Sequence, residues 1–87
     1  MLPALSTHVG YERLRSMLDS FESSPKKRSL QIVHLRSFLQ ASERLPDNLR
    51  LNFLLKLNEL VPERLKDSEK AKEIVNQIDR LTSKSLH

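Results

Sequence analysis

Glycine occurs only once in this chain of 87 residues, at Gly10, and this scarcity limits the folds that the chain can adopt. Tight β-hairpins need residues that accept a positive φ angle, and glycine is the residue that adopts it most readily. Leucine, which favours helices, occurs 17 times. The composition therefore predicts an all-α fold rather than an architecture of strands and turns.

Four prolines separate long segments in which apolar residues recur with the period of an α-helix. They divide the chain into four predicted helices, with an extra turn predicted at residues 62–67. The predicted bounds of the helices are 8–22, 25–44, 48–61 and 68–83. The expected organisation is a flexible N-terminal tail at 1–6, a single helical domain at 7–84 and a C-terminal tail at 85–87.

The starts of these segments carry residues that commonly cap helices. Ser24 precedes Pro25, and proline suits the first helical position because it has no N–H to leave unbonded there. Asp47 is predicted to cap the third helix, and Asp67 or Ser68 the fourth.

The widths of the apolar faces predict how the helices pack. Helices one and four carry narrow apolar stripes of about 120°, whereas helices two and three are apolar over about 200° or more. Short connectors favour antiparallel neighbours. The sequence predicts a small antiparallel up-down bundle of about four helices, with helices two and three central and with Phe53 and Leu57 in the core. The alternative is a three-helix body whose fourth helix swings out to pair with another chain.

Leu51 and Leu55 widen the apolar face of the third helix beyond the part that a small bundle needs. An uncovered apolar patch on a protein surface usually marks an interface. We therefore predict that Leu51 and Leu55 bind a protein partner, either a second copy of the chain or another protein. Burial of both residues inside the bundle is the alternative.

A basic cluster at Lys26, Lys27 and Arg28 falls in the first turn of the predicted second helix. Three cations there oppose the helix macrodipole, at a cost of about 0.3–1 kcal/mol each at low salt. The cluster is a candidate site for phosphate or for an acidic partner. With Ser24 and Pro25 it resembles the short SPKK elements of linker-histone tails. A solvated basic turn is the alternative interpretation.

No residue pattern predicts catalysis or a cofactor. The chain has no cysteine and three dispersed histidines, His8, His34 and His87, so we expect no metal site. Arg28 and His34 have an R-x5-H spacing that resembles the active-site motif of HEPN-type helical ribonucleases, although the resemblance covers two residues only. The prediction is that the chain is not an enzyme and has no small-molecule substrate.

The function predicted from the sequence is a protein–protein interaction module, such as a regulatory adaptor, a chaperone-like protein or an assembly subunit, with a homodimer as one form. The alternative is a small nucleic-acid-binding regulator that uses the basic cluster, because the net charge is +4. No apolar run is long enough to span a membrane, and Met1–Leu5 lack the features of a secretory signal. We expect a cytoplasmic location, with the nucleus as the alternative.

Overall fold

A computed structural model shows an all-α bundle and describes residues 2–23 and 29–85, with the side chains of 10–23 and 29–84. The helices are α1 (Leu2–Glu22), α2 (Ile32–Ser42), α3 (Asp47–Leu60) and α4 (Glu69–Ser85), with one 3-10 turn at Glu63–Leu65 between α3 and α4. No strand occurs in this described part of the chain. The predicted fold class, a small bundle of about four helices, is confirmed.

The third helix, α3, lies at the centre of the bundle and contacts α1, α2 and α4. Its most extensive packing is against α4, which also contacts α2. An ion pair of 3.2 Å between Asp47 at the start of α3 and Lys84 at the end of α4 shows that these two helices run antiparallel. Because α4 packs against α3 of the same chain, the alternative with a swung-out fourth helix is wrong.

The core consists mainly of leucines, with some from every helix and two phenylalanine rings, and is completed by Val61, Ala71 and Ile74. Phe53 and Leu57 of α3 are fully buried, which confirms their predicted place in the core. Phe38 of α2 lies between two other rings, with centroid distances of 6.1 Å to Phe21 of α1 and 5.7 Å to Phe53. Aromatic contacts in this range are favourable beyond the area that they bury, so they join α1, α2 and α3 at one level of the bundle.

The first two helices have different bounds from those predicted. α1 begins at Leu2, inside the segment predicted as a flexible tail. The predicted start of the second helix at residue 25 is wrong, because Leu30 and Gln31 are not helical and α2 begins at Ile32. Gln31 is extended, with φ −125° and ψ 169°. Arg64 donates a hydrogen bond of 2.7 Å to the carbonyl oxygen of Leu30, which holds this non-helical segment against the 3-10 turn. The predicted Ser24–Pro25 cap lies outside the described residues.

Later in the chain, Ser68 caps α4 as predicted, and the predicted extra turn is the 3-10 turn Glu63–Leu65. The backbone N–H of Ala71 donates a hydrogen bond of 3.2 Å to Oγ of Ser68. Asp47, in contrast, is the first residue of α3 rather than its cap. Pro46 occupies the cap position with φ −65° and ψ 158°. An aspartate in the first turn is still favourable, because its charge opposes that of the helix N-terminus.

His34 closes the first turn of α2. Its Nδ1 accepts a hydrogen bond of 2.9 Å from the backbone N–H of Gln31, and its ring lies 4.8 Å from the ring of Phe21. We expect His34→Ala to lower the free energy of unfolding by about 1 kcal/mol, because it removes both the capping acceptor and the ring contact. Urea denaturation measures this change. The matched control is Val33→Ala, at a side chain that is 58% exposed; equal losses in the two variants would contradict the capping role.

Gly10 lies in the middle of α1, where glycine weakens a helix. A Cβ atom added at this position would meet, among the described residues, no heavy atom within 4 Å apart from its chain neighbours and the adjoining helix backbone. We therefore expect Gly10→Ala to raise the free energy of unfolding by about 0.5–1 kcal/mol, because alanine restricts the unfolded chain and introduces no clash. Thermal and urea denaturation measure the gain, and a destabilised variant would show that α1 is not helical at residue 10.

Candidate interaction surface

The apolar face of α3 extends from the core to the solvent, and Leu51 and Leu55 lie at its solvent edge. Leu51 is half-buried and packs against the core. It also lines a recess of about 510 Å³ between the start of α3 and the end of α4, together with Leu81. Leu55 is 44% exposed. Of the two leucines predicted to bind a partner, Leu55 is thus the accessible one and Leu51 belongs partly to the bundle.

A second groove lies between the C-terminal half of α3 and the N-terminal half of α4. Its volume is about 430 Å³. Val61 and Ala71 form a buried apolar floor, and Val75 of α4 is 42% exposed. Asn58, which also lines the groove, follows Leu55 by three residues and so lies on the same side of α3. Leu55 and this α3–α4 groove are therefore parts of one face of the bundle.

At the other end of the α3–α4 seam, near the start of α3 and the end of α4, a further recess has a mostly polar lining. Arg50 donates a hydrogen bond of 2.6 Å to Oε1 of Gln77, and the two side chains line a recess of about 480 Å³ that Arg80 also lines. The Nε atom of Arg50 is buried without a hydrogen-bond partner. Glu43 and Asp47 line the same recess, so its positive and negative charges are mixed and select no ligand of one sign.

An ion pair links the end of α1 to α3. Nζ of Lys56 donates a hydrogen bond of 2.7 Å to the Glu22 carboxylate and lies 3.9 Å from Glu59. The hydrogen bond to Glu22 raises the pKa of Lys56 above its usual value, while desolvation acts in the opposite direction. Because the folded-state pKa is the higher one, this stabilisation is present below the ordinary lysine pKa of about 10.4 and is lost as pH rises through the folded-state value.

Of the remaining predicted site residues, Lys26, Lys27 and Arg28 lie outside the described residues. His34 is half-buried and engaged at the start of α2. Among the residues that the structure describes, no cluster of histidine, aspartate and glutamate side chains is arranged to hold a metal ion.

The sequence reasoning missed several groove residues, namely Asn58, Lys66, Lys72, Val75 and Asn76. Val75 was visible as an apolar residue beside the buried stripe of the fourth helix. Whether such a residue is covered depends on the rotation of α4 against α3, and this rotation cannot be deduced from the sequence of one helix alone. The two lysines and two asparagines have no distinguishing pattern in the sequence.

No family model matches the chain, and no curated protein or solved structure is significantly similar to it. None of the helices in the described ranges is long and apolar enough to cross a membrane.

Proposed function

We propose that the chain is a non-enzymatic protein–protein interaction module whose contact surface is the face formed by Leu55 and the α3–α4 groove. The observation that supports this proposal is the 44% exposure of Leu55 on a helix that already contacts all three other helices. The described part of the chain offers no further helix to cover this side chain. Leaving apolar surface in water costs about 25 cal/mol per Å², so a partner that covers the face gains free energy.

One form of this proposal is a homodimer. Two copies of α3 that cross at a two-fold axis would cover both copies of Leu55 at once, since the same surface then serves on each side. A regulatory adaptor or assembly subunit that uses the same face for a different protein is the other form. Action in the cytoplasm is part of this proposal in both forms.

Sedimentation equilibrium of the wild type and of Leu55→Lys tests the homodimer. The proposal predicts that the wild type associates to twice the monomer mass and that Leu55→Lys remains a folded monomer. Val33→Lys is the matched control, because Val33 is an exposed apolar side chain on a different helix, α2. This variant should associate as the wild type does. A wild type that stays monomeric at high micromolar concentration would exclude the homodimer and leave the form with a different partner.

Nucleic-acid binding through Lys26, Lys27 and Arg28 stays a prediction of the sequence. This alternative requires that the affinity for nucleic acid falls steeply as the salt concentration rises. The reason is that lysine and arginine side chains that bind phosphates release the counterions condensed on them.

A further inference from the structure

The α3–α4 groove combines an apolar floor with a rim of one charge sign. The floor consists of Val61 and Ala71, and Val75 forms its open edge. Lys66 follows the 3-10 turn and Lys72 lies near the start of α4, so the two cations come from different parts of the chain and line one cavity. No carboxylate lines this groove among the described residues.

Both lysines are available to a ligand. They are exposed, and neither takes part in an ion pair within the described part of the chain. Asp67 and Glu69 are close in sequence and are also exposed, but they do not line the groove. A carboxylate that enters the groove would meet two cations without a competing anion on its walls, which favours an acidic ligand.

Two side-chain amides complete the lining, with Asn58 on the α3 wall and Asn76 on the α4 wall. An asparagine side chain both donates and accepts hydrogen bonds, as a peptide bond does. Amides on opposite walls can therefore pair with the main chain of an extended peptide that lies along the groove.

We propose that the α3–α4 groove binds an extended acidic peptide segment of a partner protein. An apolar side chain of the peptide occupies the floor at Val61 and Ala71 and contacts the edge at Val75. Carboxylates on either side of it interact with Lys66 and Lys72. This inference rests on the proposed function and adds the chemistry of the partner. A peptide fits the groove better than single-stranded nucleic acid does, because none of the described residues that line it has an aromatic ring on which a base could stack.

Fluorescence anisotropy with labelled probe peptides of about ten residues tests the proposal. The first probe alternates aspartate with leucine, the second aspartate with serine, and the third lysine with leucine. We expect the full-length wild type to bind the first probe at least about tenfold more tightly than either of the others, which is a difference of about 1.4 kcal/mol.

Charge reversal at the groove should remove this preference. We expect Lys66→Glu with Lys72→Glu to weaken binding of the aspartate–leucine probe at least about tenfold. Arg36→Glu with Arg44→Glu is the matched control, since it makes the same change in net charge at exposed residues of another surface. The affinity of this control variant for the aspartate–leucine probe should stay within about twofold of that of the wild type. If circular dichroism shows that the reversed variant is unfolded, Lys66→Gln with Lys72→Gln replaces it, with the same expected direction.

The inference would be overturned by equal affinity for the aspartate–leucine and aspartate–serine probes, by equal losses in the groove and control variants, or by no binding of the first probe at about 1 mM. Tighter binding of a labelled oligothymidylate, lost in the groove variant, would assign the lysines to nucleic acid instead. Photo-crosslinking from position 55 separates this outcome from failure of the proposed function, because it reports on any protein that covers Leu55 and requires no peptide probe.

Discussion

Phe53→Ala is expected to lower the free energy of unfolding by about 3–5 kcal/mol, and Leu57→Ala by about 2–5 kcal/mol. Both side chains are fully buried in α3, and the Phe53 ring contacts that of Phe38. Each truncation leaves a cavity at the centre of the bundle. A domain of this size has a total stability on the order of 5–10 kcal/mol, so either variant removes a large part of it.

Urea denaturation followed by circular dichroism measures this loss. Val75→Ala is the control, because it truncates a half-exposed side chain of α4 and should change stability by less than about 1 kcal/mol. A loss below about 0.5 kcal/mol for Phe53→Ala would show that α3 does not pass through the core.

The second large effect is a contrast between the two leucines at the edge of α3. Leu51→Lys should destabilise the monomer by at least about 2 kcal/mol, because Leu51 packs against the core and a lysine there loses that packing and desolvates a charge. Leu55→Lys should change monomer stability by less than about 0.5 kcal/mol, because its side chain reaches solvent.

Chemical denaturation at low protein concentration, where association is negligible, separates these two effects. Equal losses in the two variants would show that Leu55 is covered by its own chain. Equally small losses of stability in Leu51→Lys and Leu55→Lys would show that Leu51 also belongs to the open face. Replacing both Leu51 and Leu55 with lysine would test the interface less well than Leu55→Lys alone, since it would disturb the core as well.

The helical architecture could be predicted from the sequence because the spacing of apolar residues and the prolines are local signals. Phe53 and Leu57 lie on the apolar side of α3 in any four-helix arrangement, and Ser68 has the residue type and position of a cap. These features depend only on neighbours within a few residues along the chain.

The start of α2 could not be predicted in the same way, because it depends on contacts that are distant in sequence. Arg64 bonds the carbonyl oxygen of Leu30 across 34 residues, and His34 meets the ring of Phe21 on another helix. The helical pattern continues through Leu30, so nothing local marks the break.

The candidate surface could be predicted only in part. The width of the apolar arc on α3 indicated that Leu51 and Leu55 form its edge, but which of them is covered depends on how closely α4 approaches. The groove beside them is formed by residues of two helices and a turn, so its charge and shape arise from the packing and not from any segment of the sequence.

Photo-crosslinking from position 55 in the protein's native cell tests the central claim most directly, because it reports on any protein that covers this face. A photoreactive residue at position 55 should give one defined adduct, either with a second copy or with one identified protein. The same residue at position 33, which is 58% exposed on α2, should not give that adduct. Val75→Lys, introduced alongside the photoreactive residue at position 55, should abolish the adduct. Without Val75→Lys, the purified chain and its purified partner should form the same adduct. Diffuse labelling that is equal at positions 55 and 33 would contradict the claim that this face is a protein interface.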